Sequence, residues 1–170
     1  MAATVFKAIV PKKLNVDGFR LEILNALRKE GTVQKQELRK TVTTWTDRPS
    51  FETKISLARQ GGASVHTFPT GSEDAVNHWN WIDAGTAVHV ITARNAPTLI
   101  FQSGYTARTS PGKFVSGQSS RHGAWRRPRS VRHPGIAPRN WSKDLSIKRQ
   151  KPFEERINGA IHRAAMSAFK

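Results

Sequence analysis

From Ala84 to Lys143 the chain carries no aspartate or glutamate. The same stretch holds ten cations: Arg94, Arg108, Lys113, Arg121, Arg126, Arg127, Arg129, Arg132, Arg139 and Lys143. It supplies +10 of the net +16. A segment of this kind is built to meet negative charge or to be clamped by partners. Either reading points to part of an assembly rather than to a free-standing enzyme.

A length of 170 residues suits one domain, residues 1–170, and a domain of that size buries about 70% of its unfolded surface. The hydrophobic fraction, 37%, lies below the globular average of about 45–50%, so a large share of the chain is expected in surface, loop or interface. Without cysteine, disulfides, thiolate metal sites and cysteine nucleophiles are excluded. No apolar run approaches the ~20 residues of a membrane helix, and the N-terminal segment does not read as a signal peptide. A cytosolic compartment is expected. The charge speaks of partners: nucleic acid, an acidic protein surface or an anionic membrane surface.

Residues 15–45 read as a long helix with Asp17 as N-cap and Phe19, Ile23, Leu24, Leu27, Leu38, Val42 and Trp45 at helical spacing. Gly31-Thr32 predicts a kink or a break. Phe51, Thr53, Ile55 and Leu57 alternate with polar residues, which predicts a half-buried strand, a turn at Gly61-Gly62 and a return strand through Val65, Thr67 and Phe68. Ser72 caps a short helix to about Asp83, with Val76, Trp79 and Ile82 on one side. Trp79 and Trp81 cannot share a face of that helix, which places one in the core and the other exposed at an interface; two partly buried tryptophans in an irregular segment are the alternative. Residues 87–92 and 98–102 read as a second hairpin. Ser103–Arg132 has no periodicity and reads as an extended basic loop. Pro152 is placed in the first turn of a final helix whose apolar face consists of Phe153, Ile157 and small residues. The fold class is α+β: an antiparallel sheet of two hairpins against a long N-terminal and a C-terminal helix, with a long basic loop.

His89 and His133 lie at no metalloprotease spacing, and they read as histidines that bond backbone at a strand end or turn. Gly85-Thr86 lacks the frame of a phosphate-binding loop; Gly85 reads as a turn residue with positive φ. No serine stands in a nucleophile elbow. No catalytic residue, cofactor or metal is expected. Arg108, Lys113, Arg121, Trp125, Arg126, Arg127, Arg129 and Arg132 are the candidate contacts for nucleic acid or a neighbouring subunit. Guanidinium groups bind phosphates bidentately and Trp125 offers a stacking face.

Three motifs occur in order: Gly85-Thr86-Ala87-Val88-His89-Val90-Ile91, Ala96-Pro97-Thr98-Leu99-Ile100-Phe101, and His133-Pro134-Gly135-Ile136-Ala137-Pro138-Arg139-Asn140-Trp141. Together they resemble the neck and tail-completion proteins of long-tailed bacteriophages. That family carries "Gly-Thr-x-x-His-x-Ile", "Ala-x-x-Leu-x-Phe" and "His-Pro-Gly-x-x-x-Arg-Pro-Phe" before a C-terminal helix. Gly85, Thr86, His89, Ile91, His133, Pro134, Gly135, Arg139 and Trp141 are the matching structural positions, with Asn140-Trp141 standing where Pro-Phe is usual. The stretch between Phe101 and Val131 departs from the pattern in its length and arginine content.

The resemblance implies a small α+β subunit of a ring at the head–tail junction or tail end, expected as a hexamer. It implies other neck and tail proteins as partners, DNA passing through the channel without sequence recognition, no membrane and no catalysis. The expected location is the virion, reached from the host cytoplasm. A sequence-nonspecific nucleic-acid-binding protein of ribosomal or nucleoid type is the competing reading. A nuclease is the weakest, because the acids are scattered.

Overall fold

The computed structural model describes residues 16–57, 63–106, 113–114 and 120–168. Helix α1 (Val16–Lys40) is followed by strands β1 (Ser50–Leu57) and β2 (Ala63–Thr70) and helix α2 (Glu73–Ala84). Six short strands come next: β3 (His89–Thr92), β4 (Phe101–Gln102), β5 (Tyr105–Thr106), β6 (Ser120–Arg121), β7 (Trp125–Arg126) and β8 (Ser130–His133). Helix α3 (Trp141–Ala168) closes the order. The expected α+β class holds, with N- and C-terminal helices packed against antiparallel strands. Among the described residues no helix is long and apolar enough to cross a membrane.

The alternation in residues 51–57 places Phe51, Thr53 and Ile55 toward α1, and the hairpin runs from Ser50↔Thr70 to Leu57↔Ala63. Its turn, including Gly61-Gly62, lies outside the described residues. Helix α1 does not break at Gly31. The glycine is needed for close approach, since a Cβ there would meet the Thr53 side chain on β1. Asp17 sits in the first helical turn rather than at the cap, where its charge still favours the helix dipole.

Helix α3 begins at Trp141, eleven residues before Pro152, which stands inside it. The misplaced start has a local cause. Residue 140 is Asn at φ 56°, a conformation asparagine tolerates, and Asp83 caps the helix from the end of α2. Its carboxylate accepts from the Ser142 amide at 3.2 Å and from the Ser142 hydroxyl at 2.6 Å.

Helices α1 and α3 run antiparallel, as Glu22 meets Arg163 and Glu37 meets Lys148. Ala160 and Ala164 are fully buried, so the small face of α3 lets the helices come close. One core cluster joins Ile23, Ala26, Leu27 and Ala160; the other joins Leu38, Val42, Phe51, Trp79, Trp141 and Leu145. Trp79 is core and Trp81 is exposed, the first of the two arrangements that their spacing allows.

Candidate interface: a basic β-ribbon

The two strands of the acid-free segment leave and re-enter the body at one point. The Arg139 amide donates to Ile82 O at 3.0 Å, and the Asn140 amide to Asp83 O at 3.0 Å. Thr86 and Ile136 exchange backbone hydrogen bonds of 3.0 and 3.1 Å. Gly85 takes φ 77° and Gly135 φ 85°, a region that suits glycine. Both also face backbone: a Cβ on Gly85 would lie 2.7 Å from Ile136 O, and one on Gly135 would run into Thr86 O. The two glycines that stood out in sequence therefore close the same junction. Gly135→Ala is expected to cost at least ~2 kcal/mol, combining a positive φ with a backbone clash. Thermal unfolding reads the loss, and faster hydrogen exchange at the Thr86 and Ile136 amides locates it.

Beyond the junction, His89 faces His133, and the pairing continues to Thr92↔Ser130. The imidazoles lie 4.9 Å apart. His89 Nδ1 bonds Ala87 O at 2.9 Å, so it carries the proton there. His133 Nδ1 accepts from the Gly135 amide at 3.1 Å, which leaves its neutral-form proton on Nε2. That proton blocks the nitrogen a shared metal would need, and both histidines bond backbone as their sequence context suggested. No group of three or more His, Asp or Glu able to hold a metal occurs among the described residues.

The expected second hairpin, 87–92 against 98–102, does not form. Both runs lie in succession on one strand, and their partner is the segment read as a loop. Ala93 N donates to Arg129 O and Leu99 N to Pro128 O, so residues 94–98 bulge out between adjacent partners. Pairing resumes as Phe101↔Arg126 and Gln102↔Trp125. It slips by one residue at Gly104 (φ 69°) and continues as Tyr105↔Arg121 and Thr106↔Ser120. The described residues 103–106 and 120–132 are thus the distal part of a two-stranded ribbon, whose bulges re-aim its strands.

The ribbon curves back to the body. Residues 120–136 would span about 50 Å if straight, and residues 106–113 reach at most about 25 Å. Yet Lys113 O accepts from Trp141 Nε1 at 2.7 Å, and Phe114 packs on the cluster around Trp141. Lys148 Nζ stands 5.9 Å from the centre of that phenyl ring.

Arg121, Arg126, Arg127, Arg129 and Arg132 are exposed along this ribbon, as are Arg94 and Lys113. Arg108 lies outside the described residues. Among the described residues none of these cations is in an ion pair; Arg121 stacks over Tyr105 at 5.7 Å. Between them sit bare apolar side chains: Trp125 is 67% exposed, Val90 65% and Ile100 62%, with Val88, Ile91 and Tyr105 also exposed. Arg139 is different. It is buried at the junction, donates to Ala137 O at 2.7 Å and belongs to the support. Trp141 is fully buried beneath it in the chain order, 5.9 Å from Trp79.

Sequence reasoning missed Asp83 as the cap of α3 and missed the apolar share of the ribbon surface. Comparison with protein-family models, curated proteins and solved structures finds no match to this chain.

Proposed function

We propose that this chain is a structural virion protein of a tailed phage, a ring-forming neck or tail-completion subunit that closes the tail tube or joins it to the head. The observation that carries the reading is the ribbon surface, where arginines in no ion pair among the described residues are interleaved with large exposed apolar groups. Arginine and aromatic residues are the side chains enriched at protein interfaces, where lysine and glutamate are depleted. An apolar surface of this kind on a small domain calls for a cover. A second support is that the first and third of the resembling motifs converge. Gly85, Thr86, His89, Ile91, His133, Pro134, Gly135, Arg139 and Trp141 build one junction that presents the ribbon.

In this reading the body supplies rigidity and the ribbon reaches the next subunit or the lumen. Arginines facing passing DNA bind phosphate weakly at each site and without sequence preference, so the duplex slides. The test is complementation of a phage lacking this chain. Wild type restores joined particles, with the labelled chain at the tail end or neck in electron micrographs. The quadruple change of Arg121, Arg126, Arg127 and Arg129 to Gln leaves heads and tails apart while the purified variant keeps its unfolding midpoint. Joined particles from that variant would defeat the role given to the ribbon. Tight DNA binding by a free monomer, falling steeply with salt, would favour the nucleic-acid-binding reading instead.

A further inference from the structure

The cover for the ribbon has to carry acid beside exposed aromatic surface, and this chain offers such a surface elsewhere. Of its acids, Glu22, Glu30 and Glu37 are in ion pairs, Asp83 caps α3 and Glu154 accepts from Gln150. Four of the rest, Asp47, Glu52, Glu73 and Asp74, are exposed at one corner. There β1 begins opposite the end of β2, at Ser50↔Thr70, and Ser72 caps α2 at once. Arg48 and Lys54 are also exposed there and leave the corner net negative. Among the described residues none of the four acids is in an ion pair.

From this corner α2 carries a single outer stripe. Asp74, His78 and Trp81 stand at i, i+4 and i+7, and all three are exposed. Trp81 is 51% exposed and touches His78 edge-on, with ring centres 6.0 Å apart. The helix thus presents acid at its start and a bare tryptophan near its end. The ribbon presents arginines interleaved with Trp125, Ile100 and Val90. The lengths are compatible as well: α2 is about 18 Å long, and residues 126–132 span at most about 20 Å.

We propose that the ribbon of one copy lies along the Asp74–His78–Trp81 stripe of α2 in the next copy. The contact is placed between copies because, among the described residues, both surfaces stay uncovered within one chain. It joins two different patches, so it is head-to-tail and propagates to a ring when the rotation closes. The contact rests on the assembly-subunit reading and names the surfaces that reading leaves open.

Sedimentation velocity on the purified chain tests it. Trp81→Ala is expected to weaken self-association about thirtyfold, as for an aromatic anchor. The pair Glu73→Lys with Asp74→Lys weakens it, and so does Arg126→Glu with Arg127→Glu. All four changes together restore it to within about threefold of wild type, because the charge pairs are re-formed in reverse. Thermal unfolding confirms that each variant is folded. A wild-type assembly untouched by the α2 changes, or a four-fold variant no better than either pair, overturns the contact and leaves the ring reading standing. A wild type that stays monomeric over the whole concentration range overturns both.

Discussion

Replacing Trp141 with alanine is expected to destabilise the protein by about 4 kcal/mol and to release the distal ribbon from the body. Trp141 is fully buried, stacks at a tilt on Trp79 and donates its only N–H to Lys113 O. Removing a buried tryptophan costs about 3–5 kcal/mol from lost transfer energy and the cavity left behind. Small domains have about 5–15 kcal/mol in all, so this one change takes a large part of the fold's margin. Trp141→Phe separates the two roles. It keeps most of the ring volume and removes the donor, so a loss of about 1–2 kcal/mol is expected from the stranded carbonyl. Urea unfolding measures both variants, and the ring-current shifts of Phe114 report whether the ribbon still docks. A loss under about 1 kcal/mol for Trp141→Ala would show that the indole is not the anchor.

The docked end matters for what the ribbon can do. A straight two-stranded ribbon would be marginal in water, since it lacks a third strand or a packed face. Fastening Lys113 and Phe114 beside the Trp141 cluster ties both ends of the ribbon to the body. The arginines and apolar groups between those anchor points are then held in place before any partner arrives. That ordering lowers the entropy lost on binding. The glycine junction at Gly85 and Gly135 and the Trp141 anchor therefore serve one surface from its two ends.

Elements that bury one face were legible in the sequence, because burial imposes a period. Phe51, Thr53 and Ile55 alternate, Val76, Trp79 and Ile82 follow a helix, and both segments fold as that spacing requires. Gly85 was legible as a turn residue because little else suits its φ. The ribbon was not legible for the converse reason. With Val90, Ile100, Trp125 and their neighbours left bare, inside–outside alternation among the described ribbon residues is confined to Ser130–His133, too short a run to announce a strand. Its register also shifts, by the five-residue bulge after Ala93 and by the slip at Gly104, so no constant spacing links the partners. Pro152 misled for a different reason. Proline favours the first helical turn, but the start of α3 was decided by Asp83, almost sixty positions before Ser142. The candidate arginines, and Trp125 among them, were found by charge and aromatic character; Val90, Ile100 and the other exposed apolar residues needed the fold.

The other large effect is expected at Glu30, which no local pattern announced. Its side chain is fully buried on α1 between the two core clusters along that helix. Arg149 reaches it from α3 with bonds of 2.8 and 2.7 Å, Gln34 adds one at 3.4 Å, and Arg156 Nε stands 3.4 Å away. Burial pushes the Glu30 carboxyl up, but the bonds and charge of Arg149, with Gln34 and Arg156, outweigh it and hold the group below its ordinary value of 4.5. Glu37 is also held low, chiefly by its bond to Lys40. A depressed carboxylate binds its proton more weakly in the folded state than in the unfolded one. Its stabilisation is therefore complete above the unfolded-state value and is lost as pH falls through the folded-state value. Glu30→Gln keeps the shape, removes the charge and leaves two guanidinium groups facing a neutral amide. Breaking a buried pair from one side costs about 3–5 kcal/mol. The lower end is expected, because the Arg149 and Arg156 side chains are 17% and 31% exposed and can turn partly to water. Unfolding measured from pH 7 down to pH 3 should show the variant less stable at neutral pH and its acid limb flatter than wild type. Glu30→Leu combined with Arg149→Met should recover part of the loss, since an apolar pair replaces the buried bond and only Arg156, 31% exposed, loses its carboxylate. Parallel acid limbs for wild type and Glu30→Gln would mean that the ion pair adds nothing to the joint between α1 and α3.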